Sequence, residues 1–225
     1  MNIATSRHDP HRNAHRYVAD YLREEIRSGR MPGGTPVVAA PIAAKLEMSR
    51  MPVREAIQQL ANDGFVTIRS NRSAVVTALG PDDIDELYEM RAAIEGFAMR
   101  HVVRHIDDRG IQEAELALLR LDQARQNVNW FVAAHDIYHD TFLEYCPRRK
   151  MVEEIRRIRQ VTEPYLRLNL RIGSTAIVNT ICEHRDLLDA IQSRDPDRAE
   201  AEMRRHILRF DVRKIVSEHV ADPVR

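Results

Sequence analysis

Residues 49–57 read Ser49-Arg50-Met51-Pro52-Val53-Arg54-Glu55-Ala56-Ile57. Ser49 belongs to the residue types that open helices, and Val53, Ala56, Ile57 and Leu60 recur at the spacing of one helical face. The stretch therefore predicts a helix capped by Ser49 and stopped by Gly64. Arg50 and Arg54 fall one turn apart on this helix, flanking the apolar face, which leaves two guanidinium groups side by side.

On the N-terminal side, Val18, Tyr21, Leu22 and Ile26 mark an amphipathic helix ended by Gly29 and the turn Met31-Pro32-Gly33-Gly34. A short second helix with Ile42, Ala43 and Leu46 inward lies between that turn and Ser49. On the C-terminal side, residues 65–69 and 74–77 read as two short strands joined by the polar turn Ser70-Asn71-Arg72-Ser73. Three helices followed by a hairpin make a winged helix-turn-helix.

The run 49–57, together with Gly29-xx-Pro32-Gly33 before it and Leu60-xxx-Gly64-Phe65-Val66 after it, resembles the DNA-binding domain of the GntR superfamily of bacterial regulators. The resemblance implies that Arg50 and Arg54 enter the major groove, where bidentate arginine to guanine is the commonest specific contact. Ser49 at the helix N-terminus is suited to a phosphate, and Arg72 at the hairpin tip to the minor groove or the backbone. The chain departs from the family pattern at Ser73, where glycine is usual, and at Ala40, where a basic or polar residue is common.

The charge distribution agrees with a polyanion partner for one half only. Net charge is zero, yet residues 1–80 hold 11 Lys/Arg against 7 Asp/Glu, and the remainder 23 against 27. The division falls at Gly80-Pro81 and predicts a leader over 1–12, a winged-helix domain over 13–79 and a second domain over 82–219. The two cysteines, Cys146 and Cys182, have no paired spacing, which points to a reducing cytoplasm. No apolar run of membrane-spanning length occurs, and 1–15 is polar, so neither a membrane span nor a secretory signal is expected.

From Asp82 the pattern is helical throughout, with predicted helices near 82–105, 110–126, 128–145, 149–172, 174–193 and 196–219. Pro147, Gly173 and Asp195-Pro196 punctuate them. The expected fold is thus mainly α: a winged helix-turn-helix followed by an antiparallel bundle of about six helices.

Three of these helices aim a histidine into an aliphatic seam. Ile177, Ile181, His184, Leu188 and Ile191 share one face; Ala199, Met203, His206 and Phe210 another; Val132, His139, Phe142 and Leu143 a third. One inward imidazole is ordinarily a hydrogen-bonded core residue. Three in one bundle each need a partner in a dry interior, and a shared cation supplies all of them. His135, one turn before His139, can chelate with it. Imidazole ligands suit zinc, with nickel, iron and copper as alternatives, better than calcium or magnesium.

This half resembles FCD, the helical ligand-sensing domain of the FadR-like branch of GntR regulators. Its histidine positions match Tyr138-His139, Glu183-His184-Arg185-xxx-Asp189-Ala190 and Met203-Arg204-Arg205-His206. The resemblance implies a metal held by three histidines and an aspartate or asparagine. That last position falls on His135, so the shell is either four histidines or three with His135 turned aside. Histidines 101, 105 and 219 match nothing and read as surface or packing residues.

Arg91 interrupts the apolar face Ile84, Leu87, Ile94 and Ala98, with Glu95 one turn on. It is either half of an internal ion pair or a fork for a ligand carboxylate oriented by Glu95. Arg167 and Arg171 are similar candidates on a helix interrupted by Pro164.

These features predict a homodimeric, DNA-binding transcriptional regulator, a repressor on a palindromic operator, controlled by a small carboxylate effector at a zinc-type metal site. Two rivals stand beside it: a constitutive DNA-binding protein with a structural metal, and a metalloenzyme. The second lacks a placed general base and any H-E-x-x-H signature.

Overall fold

The computed structural model describes residues 10–70, 73–172 and 176–209. The chain divides between Leu79 and Gly80 into two units.

The first unit contains α1 (Pro10–Arg27), α2 (Ala39–Lys45), α3 (Arg50–Asn62), β1 (Val66–Ile68) and β2 (Ala74–Val76). Val18, Leu22 and Ile26 of α1 pack with Val53, Ala56, Ile57 and Leu60 of α3 and with Phe65, Val66 and Val76 of the hairpin. The two strands pair antiparallel with Val66 opposite Val76. A further extended segment runs beside β2, where Val37 N–H donates to Ala74 O (2.8 Å) and Pro36 bridges to Val75. That pairing was not legible in the sequence, because Pro32 and Pro36 obscure any strand period. Helix α1 starts at Pro10, so residues 10–12 are helical rather than part of the expected leader; proline's fixed φ suits a first helical position. Residues 1–9 of the leader, and Arg72, lie outside the described residues.

The C-terminal ends of α2 and α3 are both closed by left-handed residues. After α3, Gly64 has φ +90°, and Phe65 N–H donates back to Leu60 O (2.9 Å) while Gly64 N–H donates to Ala61 O (3.2 Å), a Schellman closure. After α2 the same arrangement falls on Glu47, with φ 52°, Met48 N–H bonded to Ala43 O and Glu47 N–H to Ala44 O. A non-glycine residue is strained in this conformation. Glu47→Gly is therefore expected to raise stability by about 1 kcal/mol, read as a higher urea midpoint at unchanged m-value; a lower midpoint would show that the Glu47 side chain contributes more than its backbone costs.

The second unit is a bundle of α4 (Pro81–His105), α5 (Asp108–Gln123), α6 (Val128–Leu143), α7 (Arg149–Ile172), α8 (Ala176–Gln192) and α9 (Pro196–Leu208). The side chains of Asp107, Asn127 and Asp195 cap α5, α6 and α9 by accepting hydrogen bonds from first-turn N–H groups. The predicted extension of the last helix to 219 lies, beyond Arg209, outside the described residues, as do Phe210 and His219.

On α4 the buried face is Ile84, Tyr88, Arg91, Ala92, Glu95 and Met99, whereas Leu87 and Ile94 are half-buried. The face is rotated from the aliphatic one read in the sequence, because the Arg91–Glu95 pair itself is turned inside. The bundle brings α6, α8 and α9 together around the inward histidines.

Candidate functional site

His135 and His139 come from one face of α6, four residues apart, His184 from α8 and His206 from α9. All four are buried, none more than 5% exposed. One donor nitrogen from each lies within 4.8 Å of the others. Nε2 of His184 and Nε2 of His139 are 3.1 Å apart, close to the ~3.3 Å expected between two nitrogens on a tetrahedral zinc with bonds of about 2.0–2.1 Å. His135 is directed into this cluster, its ring centroid 4.5 Å from that of His139.

The outer nitrogens fix two of the rings. Nδ1 of His184 donates to Thr180 O (2.5 Å), and Nδ1 of His206 to Glu183 Oε2 (2.9 Å). With the proton placed there, each Nε2 presents its lone pair to the cluster, the arrangement that orients metal-binding imidazoles. Tyr138 adds a brace by donating its hydroxyl to His184 O (2.6 Å). Nδ1 of His135 and Nδ1 of His139, by contrast, are buried without a hydrogen-bond partner among the described residues. The convergence of four neutral imidazoles, with Nε2 of His139 and Nε2 of His184 facing each other, is a donor set that fits a transition-metal ion shared by the four rings.

Burial also sets the charge of the cluster. It pushes His135 down to about 4, and His139 and His184 well below the usual histidine value, with neighbouring imidazoles and Arg159 adding to the effect. At neutral pH these rings are neutral, as metal ligation requires. For metal-free protein the sign of the pH dependence follows. The folded values lie below the unfolded value near 6.5, so the unfolded chain takes up protons first. Stability is full above about pH 6.5 and declines as pH falls toward 4. Denaturant midpoints in chelator are expected to drop between pH 7.5 and pH 5; a midpoint that stays flat or rises would contradict the burial of neutral imidazoles.

On α4, Arg91 Nε donates to Glu95 Oε1 (2.8 Å) and Nη1 to Thr162 Oγ1 of α7 (3.3 Å), while its guanidinium lies over the Tyr88 ring. The internal ion pair is thus formed, and it ties α4 to α7. One turn before Thr162, the buried Arg159 bonds Asp140 Oδ1 (3.0 Å) and Asp136 Oδ1 (3.1 Å), the latter adjacent in sequence to His135. Arg159 was missed by sequence reasoning. Its signal was present, since Val152, Ile155, Arg159, Thr162 and Leu166 form one helical stripe, but Pro164 obscured its phase. Arg167 is buried and bonded to Glu163 and Asn129, whereas Arg171 is exposed. His101 is buried against Phe97, and His105 is exposed with Nδ1 on His101 O.

In the first unit, Ser49 is the N-cap of α3 in backbone terms (φ −72°, ψ 160°), but its side chain makes no cap hydrogen bond. That corrects the expected hydroxyl cap: α3 starts at Arg50 with Ser49 in extended backbone and without a side-chain cap hydrogen bond. Arg50, Met51, Arg54 and Gln58 are exposed, while Pro52, Val53, Ala56 and Ile57 are buried. The helix therefore presents a polar, cationic face supported by an apolar one.

Comparison with known families assigns both units. Residues 15–76 match the model of bacterial regulatory proteins of the gntR family, and residues 86–209, more than half the chain, match the FCD domain. The chain is a gntR-family transcriptional regulator with an FCD domain. It is 28% identical over 198 residues to a probable D-xylose utilization operon transcriptional repressor of Paenarthrobacter nicotinovorans, covering 86% of this chain and 85% of that protein. It is 26% identical over 157 residues to the gluconate operon transcriptional repressor of Bacillus subtilis (strain 168), covering 69% and 64%. The solved structure of McbR/YncC from E. coli has the same fold, with a TM-score of 0.76 at 18% identity over 92% of this chain and 98% of that one. The D-xylose and gluconate operon relatives are transcriptional repressors rather than enzymes. No helix among the described residues is long and apolar enough to cross a membrane.

Proposed function

We propose that this protein is a homodimeric repressor that binds a palindromic operator and is controlled by a small organic acid at a divalent transition metal, zinc in the first instance, with nickel or iron as alternatives. Two-fold pairing of the chains would match two α3 helices, with Arg50 and Arg54 on base edges and Ser49 and Arg72 on the backbone or minor groove, to two half-sites. The observation that carries the regulatory half is the convergence of His135, His139, His184 and His206, with the outer nitrogens of His184 and His206 anchored. These four residues would hold the ion, and when bound it supplies a Lewis-acidic centre for a carboxylate. Arg91, oriented by Glu95, would receive a second ligand oxygen in exchange for Thr162, and its bonds to both residues are what support that reading. The relatives named for D-xylose and gluconate operons support sugars and sugar acids as the first compounds to test.

A ligand switches such a protein only by binding two states unequally, by a few kcal/mol. The test is metal analysis of purified protein, then a thermal-shift screen of sugar acids, hydroxy acids and short carboxylates with and without chelator. A stoichiometric metal and a ligand shift abolished by chelator are expected. The burial of all four rings also favours a second reading, a structural metal in a regulator without effector. Stoichiometric metal with no ligand shift across the screen would select that reading.

A further inference from the structure

The charged side chains around the histidine cluster cancel among themselves. Arg91 is paired with Glu95. Arg159 and Arg156 share Asp136 and Asp140 at 3.0–3.5 Å. Glu183, which holds His206 Nδ1, is matched by Arg209 at 3.1 Å. Arg167 is paired with Glu163. The four donors at the centre are imidazoles, which bring no charge as metal ligands.

A divalent ion held there therefore adds two positive charges, and the carboxylates of Glu95, Asp136, Asp140, Glu163 and Glu183 are each already matched by an arginine. In a site whose ligands are at most 5% exposed, leaving a double charge unmatched is expensive. Had one of the four donors been a carboxylate, a single charge would remain.

Resting on the metal reading above, we infer that the site takes a doubly charged organic anion in preference to a singly charged one of the same size, and that His135 sets this preference by keeping the shell neutral. Each negative charge of the ligand offsets one charge of the ion. His135 is the informative position because it shares α6 with His139 and stands beside Asp136, within 3.9 Å of that carboxylate, so a carboxylate at 135 would place the missing negative charge in the shell itself.

The test uses the full chain loaded with zinc, its metal content measured, and a matched pair of probes: malonate, and its monoamide malonamate, which keeps the size and a carbonyl oxygen at each end but carries one charge fewer. Binding is followed by calorimetry in the native protein, in His135→Asp and in His135→Asn, the last keeping the shell neutral while removing the imidazole. Malonate is expected to bind about tenfold or more tightly than malonamate in the native protein and in His135→Asn, and the ratio to fall to about threefold or less in His135→Asp. Cobalt substitution, read by its visible absorption, reports whether each variant still holds the ion independently of ligand binding. Equal affinities in the native protein, binding of neither anion, or a ratio unchanged by His135→Asp with metal retained would each overturn the inference while leaving the metal reading intact. Native protein that holds no metal would overturn both.

Discussion

Replacing Arg54 with alanine is expected to weaken operator binding by about 10- to 100-fold without moving the melting temperature. Arg54 is exposed on α3 while Val53 and Ile57 are buried, so its removal leaves no cavity and no orphaned buried partner. What is lost is a guanidinium positioned for base edges, worth roughly 1–3 kcal/mol of discrimination. Arg50, one turn earlier, is expected to behave alike, and the double variant to combine the losses. Binding to an operator selected from random-sequence DNA is the measurement, made across a salt series. A base contact predicts relaxed sequence preference at one position in each half-site, whereas a phosphate contact predicts a uniform loss and a shallower salt slope. An Arg54→Ala variant with native affinity and preference would remove α3 from its assigned role.

The second large effect concerns His184, fully buried, bonded through Nδ1 to Thr180 and facing His139 with Nε2. His184→Ala is expected to lower metal content well below one per chain and to cut the stabilisation that added metal gives. For an ion present at a hundred times its dissociation constant that stabilisation is about 2.7 kcal/mol, several degrees of melting temperature for a domain of this size. The cavity left by the ring lowers stability further, so the decisive comparison is between variant and native protein in chelator, where only the cavity contribution remains. Because chelator removes the metal from both, a gap that stays as large in chelator as in zinc would show that His184 is a packing residue and not a ligand. If the variant folds and still responds to an effector as the native protein does, the metal serves the fold alone.

The two halves of the chain differed in how far their sequences could be read. In the first unit the helix-opening run at Ser49, the apolar period of α3 and the turn glycines are local signals, and they were sufficient for three helices, a hairpin and the exposed arginine pair. The extra strand pairing at Pro36 was hidden because it depends on a partner, β2, nearly forty residues on. In the second unit the inward histidines were legible one helix at a time, since an imidazole in an aliphatic seam is anomalous on any helix. Arg159 was not, because the phase of α7 across Pro164 is decided by what the helix packs against.

The sequence by itself determined the nature of each face: which residues had to be buried, which arginines had to stay in water, and that three seams carried imidazoles needing partners. Only the tertiary structure decided that those seams meet at one point, that His135 turns inward to join them, and that the neighbouring charges cancel in pairs. Periodicity along a helix fixes the direction of a side chain about its own axis, a local matter of 3.6 residues per turn. The distance between side chains on different helices depends on the packing of the whole bundle, and no single segment contains that information.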